Sequence, residues 1–111
     1  MNKDELLTLF GRCAQDSVLF AVAQEASRRL EASSTARIVV GEAQPCDELL
    51  RIYTGRLKRK TERNEQITGL KETVETFAKC SGQLQGGYVE TGNGLIYFWT
   101  DAAGNLAGCV L

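Results

Sequence analysis

The chain has 111 residues, 43% of them hydrophobic and 24% charged, with a formal net charge of −1 and no histidine. That length makes one domain, residues 1–111, able to bury a core without staples, and the composition excludes a disordered chain. The near-neutral balance removes any global pull toward nucleic acid or an anionic membrane, and the missing histidine excludes Ser-His-Asp and Cys-His catalysis, histidine-bound zinc and a histidine pH switch.

Residues 3–32 are expected to be helical, as one bent helix or two. Asn2 is placed to cap the start, with Glu5 three residues on as in a capping box. Leu6, Leu7, Phe10, Cys13 and Ala14 follow at helical spacing, and Val18, Ala21, Val22, Ala26 and Leu30 form a second stripe after Asp16-Ser17. Ser33-Ser34-Thr35 breaks the pattern. Ala36 to Val40 is β-branched and reads as a strand. Gly41 to Pro45 reads as a loop, with Asp47-Glu48 suited to the first turn of a following helix.

Residues 47–63 read as helix on Leu49, Leu50, Tyr53 and Leu57, although Arg51 to Leu57 also carries strand formers. Lys58 to Gln66 holds no apolar side chain, so it is either a solvated helix middle or a loop. A further helix is expected from about Asn64 to Cys80, on Ile67, Leu70, Val74 and Phe77, ending at Ser81-Gly82.

The stretch from Gln83 to Leu111 reads as a three-stranded antiparallel meander, with turns at Gly92-Asn93-Gly94 and at Asp101 to Asn105. Its middle strand, Leu95 to Thr100, is apolar on both faces, with Leu95, Tyr97 and Trp99 on one and Ile96, Phe98 and Thr100 on the other. A strand with one wet face alternates polar and apolar, so both faces of this sheet require cover. The fold class is therefore α+β: N-terminal helix, short strand, helical middle and C-terminal meander, with about four strands packed on helices.

The cysteines, Cys13, Cys46, Cys80 and Cys109, are widely spaced, with no Cys-x-x-Cys pair. They read as free thiols in or near the core rather than as a zinc site or a disulfide framework. Cys46, after Pro45, is the one thiol whose place at a helix start suits an activated thiolate, and a structural role is the simpler reading. The glycines at 82, 86, 87, 92, 94, 104 and 108 lack the strand–helix context and the Lys-Ser/Thr of a phosphate loop. Glu72, Glu75, Glu90 and Asp101 have no partner suggesting acid/base or metal chemistry. No cofactor, no metal site and no catalytic residue is expected.

Two groups remain. Arg56, Lys58, Arg59, Lys60 and Arg63 form a basic patch without the interleaved aromatics that stack on bases, so a solvated face is expected rather than a nucleic-acid site. Tyr88, Leu95, Tyr97 and Trp99 are the candidate interface, since Tyr and Trp join apolar area to a polar atom, with packing into the core under more helix as the competing reading. No stretch approaches the roughly 18 apolar residues of a membrane span. The charged, then amphipathic start is not a secretory leader, so a complete cytoplasmic protein is expected. The functional expectation is a non-catalytic protein-interaction module of the inhibitor, immunity or accessory kind, such as mobile elements encode, acting as a homodimer. A small-molecule binder with an apolar pocket between helices and sheet is the alternative, and a nucleic-acid adaptor using the 56–63 cluster comes third.

Overall fold

The computed structural model describes residues 1–111. Its order is α1 (Lys3–Gly11), α2 (Phe20–Ala32), β1 (Ala36–Pro45), α3 (Cys46–Glu62), α4 (Leu70–Lys79), β2 (Gln83–Thr91), β3 (Gly94–Thr100) and β4 (Leu106–Val110). The strands form one antiparallel sheet in the order β1-β2-β3-β4, so the first strand joins the meander and the class is α+β. No helix is long and apolar enough to cross a membrane.

The helical stretch 3–32 is two helices. The Asn2 side chain accepts from the Glu5 N–H and caps α1. Between the helices, the Ser17 hydroxyl accepts from the Leu19 N–H, one of the local bonds with which serine competes against helix. Ser33 then ties the end of α2 to the β2–β3 turn: its hydroxyl donates to the Thr35 carbonyl and accepts from the Gly92 N–H. Lys3 donates to the Ser33 carbonyl, so α1 is pinned at the same point.

Two boundaries differ from expectation, the end of β1 and the start of α4. The loop expected at Gly41–Pro45 is strand, because a bulge between Val40 and Ala43 lets β1 pass the glycine and keep pairing to Pro45. The basic stretch is the last part of α3, and it closes in a Schellman turn. Asn64 takes a left-handed φ of 56°, the Glu65 N–H donates to the Lys60 carbonyl and the Asn64 N–H to that of Thr61. That turn moves the start of α4 from the expected Asn64 to Leu70. On α4 the buried residues are Leu70, Thr73 and Phe77, while Val74 is half-buried, so the buried stripe is rotated by one position.

Helices cover both sheet faces. Leu6, Leu9 and Phe10 of α1, with Val22, Ala23, Ala26 and Leu30 of α2, pack on Val89, Ile96, Phe98 and Cys109. On the opposite face Cys46 and Leu49 of α3 and Phe77 of α4 pack on Leu84, Trp99 and Ala107. Gly108 makes this second cluster possible, since a Cβ there would stand 2.6 Å from a Thr73 methyl and 3.0 Å from the Trp99 ring. Burial of such side chains stabilises by about 1.5–3 kcal/mol each.

The two sheet edges differ. On the outer side of β4 the Thr73 hydroxyl accepts from the Cys109 N–H at 2.9 Å and donates to its carbonyl at 3.0 Å. The Leu111 N–H donates to the Thr68 carbonyl at 3.0 Å. Gly69, at φ 90°, lies so near the Cys109 carbonyl and Val22 that no side chain fits there. β4 is thus a sheet edge with nothing left to offer a second copy, because α4 and the turn before it occupy it. No hydrogen bond from another segment reaches the outer side of β1.

Candidate functional site

The register sets the candidate interface. Val39 stands opposite Tyr88, Tyr88 opposite Tyr97, and Tyr97 opposite Val110, so one apolar row crosses all four strands. Strand alternation puts the row on the α3/α4 face, with Leu95 and Trp99 two residues either side of Tyr97. Tyr97 is 40% and Leu95 42% exposed, and Tyr88 is half-buried against Tyr97 with ring centres 6.1 Å apart. Of the four expected residues, these three share an open surface.

Trp99 does not join them. It is only 5% exposed. Its ring meets Tyr53 edge to face at 5.1 Å and Phe77 at 5.4 Å, which places it in the core. Gly86 lets it lie flat on β2, since a Cβ there would stand 2.7 Å from the indole nitrogen.

The surface is open because α3 covers only part of the face. Cys46 and Leu49 are buried on the sheet, and Tyr53, one turn on, is half-buried. Two cavities flank Tyr53, and both are lined by Tyr53, Tyr97 and Trp99. The smaller, 240 Å³, reaches Val39, Glu42 and Gln44 of β1. The larger, 580 Å³, is walled by Ile67, Leu70, Val110 and Leu111, with Arg56 and Lys60 beside it. Burial raises the Tyr53 phenol above its ordinary range, and the neighbouring Arg56 opposes that rise.

The five basic residues, all on α3 or its cap, are held differently. Arg56 lies over the Tyr53 ring at 4.9 Å and makes no ion pair. Lys60 pairs with Glu65 at 2.6 Å and Arg63 with the same carboxylate at 3.6 Å. These contacts, the Lys60 hydrogen bond first, lower the Glu65 pKa. Lys58 and Arg59 face solvent. Cations near the end of α3 also suit the negative end of its dipole.

The thiols fall on opposite sides of the sheet, Cys109 and Cys13 with the α1/α2 cluster and Cys46 and Cys80 with the α3/α4 cluster. All four are free. Cys46 does begin α3, but it is buried and its N–H already donates to the Gly82 carbonyl. Burial first, and Cys46 second, raise the Cys80 thiol. Glu72, Glu75, Glu90 and Asp101 are dispersed: Glu90 pairs with Arg37 at 3.6 Å, and Asp101 accepts from the Ala103 and Asn105 N–H groups in the last turn.

Sequence reasoning missed Tyr53 and Val39 as surface-forming residues. An aromatic inside the strongly charged α3 was the signal for the first; nothing in the β1 pattern marked the second. Compared with known protein families, curated proteins and solved structures, the chain matches none of them.

Proposed function

We propose that the protein is a non-catalytic interaction module whose partner is a second copy of itself. The observation that carries this reading is the apolar row Val39–Tyr88–Tyr97, half-exposed and running out to the unoccupied edge of β1. Exposed apolar surface and free strand edges are what associating proteins cover. A twofold arrangement uses one patch twice, which is economical for a small chain. The charged residues on β1 are Arg37 and Glu42, one of each sign, so two antiparallel copies do not set a run of like charges face to face. The absence of histidine from the sequence agrees with a role that needs no proton transfer at neutral pH.

Light scattering at micromolar concentration tests this. The expected particle has twice the 12.2 kDa mass of the chain. Tyr97→Asp is expected to return it to a single chain with an unchanged far-ultraviolet circular dichroism spectrum, since Tyr97 is already 40% exposed. Trp99→Asp is unsuitable because it charges the core. A wild-type particle of 12.2 kDa across the concentration range ends the proposal.

A further inference from the structure

The larger cavity beside Tyr53 has a chemistry that self-association does not use. Its lining is aliphatic, from Ile67, Leu70, Val110 and Leu111, and aromatic, from Tyr53, Tyr97 and Trp99. The only charged side chains lining it are those of Arg56 and Lys60, both from α3. Lys60 is already held by Glu65, whereas Arg56 is exposed, makes no ion pair and rests on the Tyr53 ring. An apolar cleft with one uncommitted cation beside it is complementary to a molecule with an apolar tail and one anionic head. Its 580 Å³ lies within the range of small-molecule sites, about 300–1,000 Å³.

From this we infer that the cleft binds a soluble single-chain amphipathic carboxylate, its tail between Leu70 and Trp99 and its head on Arg56. The guanidinium suits this head because its planar fork matches a carboxylate with two parallel hydrogen bonds. The aliphatic side chains of Ile67, Leu70, Val110 and Leu111 select a plain hydrocarbon tail over a polar one.

The chain carries its own reporter, since Trp99 lines the cleft and is the only tryptophan. Dodecanoate, titrated below its micelle concentration, is expected to shift the Trp99 emission saturably, with one molecule per chain by calorimetry. Dodecan-1-ol, with the same tail and no charge, is expected to bind on the order of tenfold more weakly, the size of one partly solvated charge-assisted contact. Arg56→Gln is expected to weaken dodecanoate by the same factor and leave dodecan-1-ol unchanged. Ile67→Asp is expected to abolish both, with circular dichroism confirming the fold of each variant. The inference is overturned if dodecanoate shows no saturable binding, if Arg56→Gln leaves its affinity unchanged, or if dodecyltrimethylammonium binds as well. It is equally overturned if the protein sediments with phosphatidylglycerol vesicles yet ignores the monomeric fatty acid, which would make the cleft a membrane contact. None of these readouts depends on particle mass, so the result stands apart from that of the light scattering.

Discussion

Thr73 is a polar residue in a buried place, and its side chain has one task. Its hydroxyl both accepts from and donates to the backbone of Cys109, replacing the neighbouring strand that β4 lacks. Thr73→Val keeps the shape and leaves both backbone groups unpaired, at about 1–3 kcal/mol for each buried group. The expected loss is about 2–6 kcal/mol in urea unfolding, with an unchanged slope, while Thr73→Ser retains most of the stability. Cys109 itself is fully buried, and that burial, with Cys13 second, pushes its thiol up to about 12 from an ordinary 9.0. The folded state therefore holds this proton more tightly than the unfolded one. The resulting stability is complete below pH 9 and is lost as pH rises toward 12, at about 1.4 kcal/mol per unit. Urea midpoints measured from pH 8 to 11 are expected to fall less steeply for Cys109→Ala than for the wild type.

At the level of elements, the patterns that depend on neighbouring residues were legible and those that depend on backbone turns were less so. The meander, its two turns and the two-faced β3 follow from alternation and from glycine, asparagine and aspartate at the bends. The end of α3 does not, because the choice between a continuing helix and a left-handed Asn64 rests on a small difference in backbone energy. The strand beyond Val40 was hidden because a bulge tolerates glycine where a regular ladder disfavours it. Face alternation alone places Tyr88, Leu95 and Tyr97 on one side of the sheet, where the structure leaves them half-buried or exposed. The fate of Trp99 does not follow from alternation, since it depends on how far α3 follows the sheet before leaving it. The exposed end of α3 gives a direct check: Lys58 and Arg59 touch solvent, so changing both to Ala is expected to shift unfolding by no more than about 0.5 kcal/mol. A larger loss would mean that this part of the helix is packed.

On the scale of the whole molecule, a chain of 111 residues covers one sheet face with two helices and most of the other with two more. The uncovered part and the cleft are where material ran short, which is why surface and cavity share Tyr97 and Tyr53. Sequence reasoning reached the need for cover on both faces but not the uneven result, because cover is decided by the path of α3 over a twisted sheet. The unequal strand edges bear on a different matter, the length to which an assembly can extend. A sheet open on both sides templates its neighbours indefinitely, and that is the route to fibres. Here Thr73, Thr68 and Gly69 close one side. Two copies meeting through β1, as proposed, would leave only the closed β4 edges facing outward, so such an association would end at a pair rather than grow into a fibre.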